Sequence, residues 1–199
     1  AGHALVRYLL PNTDRIHIVS IVPRGNAGGM VIHLPKEDRF MMTKSEMLNN
    51  IKALLAGRVA EEQVLGEVST GAENDLEQAT SLARRMVMEY GMSEALGPIS
   101  FGHKEDHQVF LGRDISRQRN YSEEIAFSID KEIRKIMEEC YAEADTLIRN
   151  NHNKLEQLAN TLLEKETLRG DEVAVIMQDQ QVEATEQQDP TTEPENTEA

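Results

Sequence analysis

The longest uninterrupted amphipathic segment of the chain follows Ser122 and runs to Asn150. Its apolar residues recur every three or four positions, as on one face of a helix; they are Ile125, Ile129, Ile133, Ile136, Cys140, Ala144 and Leu147. Glu123 and Glu124 lie where the helix dipole favours acidic groups. A second, shorter stripe consists of Leu155, Leu158, Ala159 and Leu162. We predict that the two segments pack as an antiparallel helical hairpin, which makes the core largely helical.

Two earlier segments carry the start and stop signals of helices. Thr43 and Glu46 have the spacing of a capping box, and the apolar stripe after them ends before Gly66. The next helix is predicted to begin at Asn74 or Asp75 and to stop near Gly91. Because aromatic residues make up only 4% of the chain and Trp is absent, aliphatic side chains must build the core. Such a composition favours packed helices, so the predicted fold class is mainly α.

A small β-hairpin is predicted near the start of the chain. A first helix over residues 3–10 is ended by Pro11, and residues 15–22 then alternate in the manner of a strand. Glycines and a proline form a turn, and residues 30–34 make the second strand. Shorter β-like pieces occur at 99–101 and 108–111, and a last short turn is expected around residues 172–177.

Charge divides the chain into two parts. The formal net charge is -14, which excludes a nucleic-acid partner because phosphate binding needs clustered Lys and Arg. Residues 178–199 contain acidic residues, Gln, Thr and Pro but no Lys or Arg, so this tail is predicted to be disordered. Residues 1–177 form the single predicted domain.

The chain has no run of 18 apolar residues, and its one cysteine, Cys140, excludes an internal disulfide.

Many short segments resemble, in order and spacing, the C-terminal zinc peptidase domain of FtsH-type ATP-dependent membrane proteases. They are residues 1–6 (AGHALV), 21–25 (IVPRG), 34–38 (LPKED), 55–62 (LAGRVAEE), 69–76 (STGAENDL), 89–93 (EYGMS), 112–115 (GRDI), 121–125 (YSEEI) and 163–168 (LEKETL). The resemblance spans residues 1 to about 177, and no single motif carries it. It implies a helical peptidase domain with a small β-hairpin near its metal site.

The resemblance also implies zinc ligands. A zinc protease helix carries His-Glu-x-x-His because residues four apart share a helical face, so both imidazoles can bind one Zn²⁺. His3 would be the second histidine of that motif, and Asp75 would be the third protein ligand. Without the resemblance, Asp75 would be interpreted as an ordinary helix N-cap. Glu61 and Glu62 are acidic rivals and rank below Asp75.

The first histidine and the general-base glutamate of this motif would occupy the two positions before Ala1. Since a chain does not naturally begin with Ala-Gly-His, we expect a fragment that has no catalytic residue of its own. As given, it is predicted neither to hold zinc tightly nor to cleave peptides. A different pair of histidines, His103 and His107, has the spacing of a metal site but lies in a charged, glycine-flanked segment, so a solvated loop is the better interpretation.

Partners follow from the resemblance as well. An extended polypeptide substrate is expected to add as a strand along Gly29, Met30, Val31 and Ile32, although residues 26–31 depart from the family's usual sequence. A plain edge strand without a substrate role is the alternative interpretation of this segment. No phosphate-binding loop is present, so ATP would bind an upstream ATPase module, which would also carry the membrane anchor. The family forms homo-hexamers at the bacterial inner membrane, with the peptidase domain on the cytoplasmic side. The alternative function is a non-catalytic helical module for ring assembly.

Overall fold

The computed structural model describes residues 1–23, 28–34, 41–101 and 121–178. Within these ranges it confirms a mainly helical fold with a small sheet. The elements in chain order are α1 (Gly2–Leu9), β1 (Arg15–Ser20), β2 (Met30–Leu34), α2 (Lys44–Leu65), a 3₁₀ turn (Thr70–Ala72), α3 (Glu73–Met88), α4 (Glu123–Asn150), α5 (His152–Lys165), β3 (Thr167–Arg169) and α6 (Gly170–Gln178).

Helix α2 begins and ends where its local chemistry predicts. The backbone N–H of Glu46 donates to Thr43 Oγ1 at 3.2 Å, and the backbone N–H of Thr43 donates to Glu46 Oε2 at 2.7 Å. This reciprocal pair satisfies two amide groups that a helix start otherwise leaves open. At the other end Gly66 adopts φ 74°, the left-handed conformation that glycine allows without strain.

Helix α3 begins earlier than the sequence predicts. Ser69 caps the 3₁₀ turn by accepting a hydrogen bond from the backbone N–H of Gly71, and this turn runs directly into α3 at Glu73. Asp75 is therefore the third residue of the helix, and its N-cap is Ala72, so the interpretation of Asp75 as an N-cap is wrong. The helix ends at Met88, three residues before Gly91.

Helices α4 and α5 form the predicted pair. Ser122 caps α4 by accepting a hydrogen bond from the backbone N–H of Ile125 at 3.3 Å. Asn151 alone separates α4 from α5, and its side chain donates to the carbonyl oxygen of Leu147 at 2.8 Å. The short turn predicted around residues 172–177 is a nine-residue helix, α6, and Gln178, predicted as the first residue of the tail, is its last residue.

The sheet has three antiparallel strands in the order β2-β1-β3, so the predicted hairpin is confirmed and gains a third strand. The register of β1 against β2 shifts between Ile16 and Ile18, which interrupts the predicted alternation. As a result Val19 is buried while Ile16 and Ile18 are only partly buried. Strand β3 was not predicted, because a segment of three residues is too short to show the alternating pattern of a strand.

Buried apolar residues form two clusters. We call the first the sheet-side core; it consists of Ala4, Leu5, Val6, Val19, Ala56, Val59, Ala144, Ile148, Leu155, Leu158, Leu162, Leu168, Val173 and Met177. We call the second the helical core; it consists of Met47, Ile51, Leu55, Ala79, Ala83, Met86, Val87, Ile129, Ile133, Ile136 and Cys140. Helix α2 supplies residues to both clusters, so it lies between the sheet and the outer helices.

Several sequence predictions fall outside the described residues. They concern His103 and His107, the β-like piece at residues 108–111, and positions 179–199 of the acidic tail. The other β-like piece, residues 99–101, lies within the described ranges and is not a strand. Its Phe101 instead donates a backbone hydrogen bond to the carbonyl oxygen of Met88 at 2.7 Å, which ties this segment to the end of α3.

Candidate metal centre

The position of α1 depends on a close contact with α2. A Cβ atom added at Gly2 would lie 2.5 Å from the carbonyl oxygen of Ala56 and 2.7 Å from Cβ of Ala60. Neither distance is compatible with a side chain, so glycine at position 2 and alanines opposite it allow the two backbones to approach. The contact fixes the first turn of α1, which carries His3, against the middle of α2.

The imidazole ring of His3 lies over Gly57 of α2. A Cβ atom at position 57 would be 2.3 Å from His3 Nε2, so only glycine leaves room for the ring. The other ring nitrogen, Nδ1, lies 2.8 Å from the carbonyl oxygen of Ala53. Because a carbonyl oxygen can only accept, Nδ1 is the protonated nitrogen and donates to it. The ring is thereby oriented, and Nε2 is the nitrogen that stays available for another contact.

Asp75 faces that nitrogen from the first turn of α3. Its Oδ2 lies 3.3 Å from His3 Nε2, and the two side chains are 34% and 27% exposed for His3 and Asp75 respectively. The first turn of a helix favours a carboxylate because unpaired backbone N–H groups give that end a partial positive charge. The structure thus brings together the two residues nominated as metal ligands, although their ligand role stays a prediction.

A neutral His3 whose proton lies on Nδ1 directs the lone pair of Nε2 at the Asp75 carboxylate. Two such acceptors repel each other, and a cation bound between them would relieve that repulsion. Two atoms bound to one zinc at about 2.0–2.1 Å in tetrahedral geometry are about 3.3–3.4 Å apart. The observed 3.3 Å therefore fits a shared zinc ion.

The support of His3 also fits a zinc site. Metal-binding histidines commonly donate their second ring N–H to a carbonyl oxygen or a carboxylate, as His3 does to Ala53. No group of three or more His, Cys, Asp or Glu side chains suited to a metal occurs among the described residues. His3 and Asp75 are thus a pair that would need further ligands.

Glu61, the first rival ligand, instead holds the turn that precedes α3. Ser69 donates to its carboxylate from the backbone N–H at 3.2 Å and from the hydroxyl at 3.0 Å. The same hydroxyl accepts the backbone N–H of Gly71 at 3.1 Å. A chain of hydrogen bonds thus runs from Glu61 on α2 to the turn that leads to Asp75.

Glu62, the second rival, is directed towards α4. Its Oε2 accepts a hydrogen bond from the hydroxyl of Tyr141. Burial of the phenol, together with this carboxylate, raises the pKa of Tyr141 to about 12. Both rival carboxylates therefore have other hydrogen-bond partners in the structure.

The predicted substrate strand lies at the edge of the sheet. Met30, Val31 and Ile32 belong to β2 and pair with Ser20, Val19 and Ile18 of β1. Gly29 precedes the strand, and a Cβ atom there would be 2.7 Å from the carbonyl oxygen of Ser20. In the described part of the chain β2 has a neighbour on one side only, since the strand order is β2-β1-β3.

Sequence reasoning did not find the residues that support the two candidate ligands. The Ala53 carbonyl, Gly57 and Ser69 act through backbone position and close approach, which hydrophobic periodicity does not report. One signal was available: small residues at 53, 56, 57 and 60 on α2 favour close contact with another helix, and Gly2 is its counterpart.

Comparison with known proteins shows the family. The model of peptidase family M41 matches residues 1–176. ATP-dependent zinc metalloprotease FtsH 1 of Thermoanaerobacter sp. (strain X514) is 53% identical over 186 residues, which cover 94% of this chain and 30% of the relative.

Two further relatives have similar coverage. ATP-dependent zinc metalloprotease FtsH of Halothermothrix orenii is 58% identical over 164 residues, covering 82% of this chain and 26% of the relative. The protein of the same name from Bacillus subtilis is 52% identical over 172 residues, which cover 86% of this chain and 27% of the relative. The chain thus spans less than a third of the length of these relatives. No helix in the described ranges is long and apolar enough to cross a membrane. The predicted resemblance is confirmed: the chain belongs to peptidase family M41.

Proposed function

We propose that this chain is the proteolytic part of an ATP-dependent zinc metalloprotease, and that His3 and Asp75 are two of its zinc ligands. The observation that carries the proposal is the contact of His3 Nε2 with Asp75 Oδ2 at 3.3 Å, with the Nδ1 proton held by Ala53. The relatives are named ATP-dependent zinc metalloproteases, which supports the same chemistry.

When bound, zinc supplies Lewis-acid chemistry that polarises a peptide carbonyl and makes water more acidic. Residues of this chain orient the two side chains that would bind the metal. The Ala53 carbonyl keeps the proton of His3 on Nδ1, so Nε2 remains free to bind, and Asp75 supplies negative charge opposite to it. Glu61 keeps the turn before α3 in place through Ser69, which limits the positions open to Asp75.

We further propose that the 199 residues by themselves bind zinc weakly and do not hydrolyse peptides. Two ligands form a poor zinc site, because proteins that use zinc in catalysis supply three side chains and leave one position for water. By family resemblance the third ligand and the general base are a His-Glu pair directly ahead of Ala1.

An extended chain, in which His-Glu is placed before Ala1, tests both proposals. We expect the extended chain to bind one zinc tightly and to cleave unfolded casein, whereas the 199-residue chain should bind zinc only weakly and cleave nothing. His-Gln at the same positions is the matched control, since it should keep zinc binding and lose cleavage.

The two parts of the proposal fail in different ways. Stoichiometric zinc and casein cleavage by the 199-residue chain would show that no preceding residue is needed. An extended chain that binds no zinc would remove the assignment of His3 and Asp75.

Polypeptide substrates are proposed to add as a strand to β2, along Gly29, Met30, Val31 and Ile32. The edge position of β2 supports this mode, in which backbone hydrogen bonds give affinity with little dependence on sequence. Peptides with N-methylated backbone amides should be cleaved more slowly by the extended chain than peptides with altered side chains. Equal rates for both kinds of peptide would contradict strand addition.

The whole protein is proposed to be a homo-hexamer at the bacterial inner membrane, with the peptidase domain, residues 1–177, on the cytoplasmic side. An upstream module would bind ATP and carry the membrane anchor, and the substrates would be unfolded or unwanted membrane and soluble proteins. Family resemblance supports these points. Native mass spectrometry of the full-length protein in detergent tests the assembly, and a stable monomer or dimer would contradict it.

A further inference from the structure

The strand proposed to receive the substrate, β2, has two faces that differ in chemistry. Residues that pair directly across a sheet share a face, and neighbours along a strand alternate between the faces. Val31 pairs with Val19, which pairs in turn with Leu168, and all three belong to the sheet-side core or pack against it. We call this side the inner face of the sheet. The other side, which we call the outer face, carries Met30, Ile32 and Leu34.

A hydrogen bond across the sheet supports this division. Ser20 of β1 pairs with Met30 on one side and with Thr167 on the other. Its hydroxyl lies 2.9 Å from that of Thr167, so both side chains lie on the same side of the sheet. Since Ser20 follows Val19, which faces the core, this side is the outer face, and Met30 shares it.

An apolar row crosses the outer face and ends at the edge of the sheet. Ile18 pairs directly with Ile32, and among the described residues neither of them belongs to a core cluster or packs against one. Ile16, two positions earlier, packs against the sheet-side core, and the shift in register between Ile16 and Ile18 turns the later residue outward. On β2, Ile32 is 38% exposed and Leu34 is 53% exposed. A strand added to β2 would therefore extend an apolar row that is already partly accessible.

The inner face is polar where it reaches the same edge. His33 pairs with Ile16, which packs against the sheet-side core, so His33 lies on the inner face together with Val31. Its Nε2 lies 3.9 Å from Oδ2 of Asp14, in the loop between α1 and β1. A substrate side chain opposite His33 would lie beside these polar groups, where an apolar side chain gains less than on the outer face. The two faces thus favour different side chains.

We propose that β2 selects substrates by alternation, so that segments with apolar side chains at every second position, opposite Met30, Ile32 and Leu34, bind best. Ile32, at the centre of the outer face, is the specificity-determining residue. This inference rests on the proposed addition of substrate to β2 and adds a side-chain requirement to it. Backbone hydrogen bonds hold any extended chain, and the side-chain pairs on the outer face rank the sequences.

Alternation defines a class of substrate. Apolar residues at every second position are typical of strands that a folded protein buries on one face only. Such segments become accessible when a sheet unfolds. Segments from amphipathic helices have apolar residues every three or four positions instead, and in extended form they place fewer of them on one face. The selected class is therefore unfolded polypeptide that contains strand-forming segments.

Two peptides of equal composition test the alternation, with the full-length protein in detergent as the enzyme. Both consist of Gln and Ser with three Ile residues, placed two apart in the first peptide and three apart in the second. The first can place three Ile opposite β2 on the outer face, and the second only one. Because a cross-strand pair contributes about twofold in affinity, KM should be about fourfold lower for the first peptide, with kcat unchanged.

A charge substitution tests the role of Ile32. A third peptide carries Glu at the three alternate positions, and the measured quantity is the ratio of its KM to that of the alternating Ile peptide. In Ile32→Lys this ratio should fall about fourfold, because the central pair becomes about twofold weaker for Ile and about twofold stronger for Glu. Leu163→Lys, the same change at an exposed position of α5, is the matched control and should leave the ratio unchanged.

The outcomes separate this inference from the proposed function. Equal KM values for the two Ile peptides, in a protein whose cleavage is still slowed by N-methylated backbones, would overturn the selection by alternation and leave strand addition in place. An unchanged ratio in Ile32→Lys, shown to be folded by circular dichroism, would overturn the assignment of Ile32. Cleavage of none of the peptides by the zinc-loaded protein would overturn the proposed function and this inference together.

Discussion

His3 is positioned by the sheet-side core and Asp75 by the helical core, and the two positions are secured in different ways. Next to His3, helix α1 meets α2 at backbone distances that glycine permits at positions 2 and 57. Helix α3, which carries Asp75, packs through ordinary side chains such as Ala79, and a hydrogen-bonded turn sets its start.

This difference predicts unequal tolerance to substitution. At Gly57, beneath the His3 ring, and at Gly2, beside it in α1, there is no room for a Cβ atom, so one added methyl group has to displace the ring or the helix. Around Asp75 the supporting contacts are polar and partly exposed. Water can replace a lost hydrogen-bond partner there, so the free-energy cost of a substitution is smaller. Changes beside His3 should therefore reduce metal binding more than changes beside Asp75.

The largest effect is expected for Gly57→Ala in the extended chain. The added Cβ would lie 2.3 Å from His3 Nε2, so the ring must leave its position while the backbone of α2 can stay. Zinc affinity should fall by more than about a hundredfold, beyond the range for loss of a supporting partner, because the ligand itself is displaced. Competition with a chelating dye measures this change.

Gly28→Ala is the matched control for Gly57→Ala. A Cβ atom at position 28 meets nothing within 4 Å, so zinc affinity and the free energy of unfolding should stay unchanged. A Gly57→Ala chain with normal zinc affinity would show that the close contact beneath His3 is not needed to orient it.

A smaller effect is expected for Asp75→Asn, which keeps the size of the side chain and one oxygen but removes the charge. Zinc affinity of the extended chain should fall by more than the roughly tenfold that loss of a supporting partner costs, because Asp75 is a proposed ligand. Because the Asp75 side chain is partly exposed, the free energy of unfolding of the metal-free chain should change little. Glu77→Gln, an exposed charge change in the same helix, is the control, and an equal loss in both variants would argue against a ligand role for Asp75.

Glu61→Gln should have a smaller effect still. The amide can accept one hydrogen bond from Ser69 but not all those that the carboxylate accepts, so the turn before α3 loosens. We expect zinc affinity to fall about tenfold, as for loss of a supporting partner. Glu67→Gln, in the exposed loop that follows α2, should leave the affinity unchanged. A loss as large as that of Asp75→Asn would instead make Glu61 a ligand.

The helical core can be probed through its thiol. Burial raises the pKa of Cys140 to about 12, whereas an unfolded chain has a thiol pKa of about 8.5. Above that lower value the unfolded state loses its proton and the folded state keeps it, so stability is complete below about pH 8.5 and declines as pH rises towards 12. Between pH 8 and 10 the free energy of unfolding should fall by about 2 kcal/mol from this group.

Urea unfolding at several pH values measures that decline. Cys140→Ala has a cavity cost at every pH, but its stability should depend less on pH over the same interval. An unchanged slope in the alanine variant would mean that the thiol is more accessible to solvent than its position in the helical core indicates.

Features that depend on local chemistry were predictable from the sequence. The capping box at Thr43 and Glu46, the glycine stop at Gly66 and the Ser122 cap all act within one helical turn, and each begins or ends a helix in the structure. Strand β2 was also predicted with its observed bounds. The nomination of His3 and Asp75 came from family resemblance, since neither residue stands out by local pattern.

Features that depend on the distance between elements were not predictable. Strand β3 is a strand because β1 lies beside it, and Gly57 matters because α1 approaches it.

Helix α2 lies between the two cores, with Ala56 and Val59 buried in one and Ile51 and Leu55 in the other. Neither cluster can open without exposing part of this helix, so the domain should unfold as one cooperative unit. Hydrogen exchange of the α2 amides should then require global unfolding, and zinc that joins α1 to α3 across the helix would slow it further.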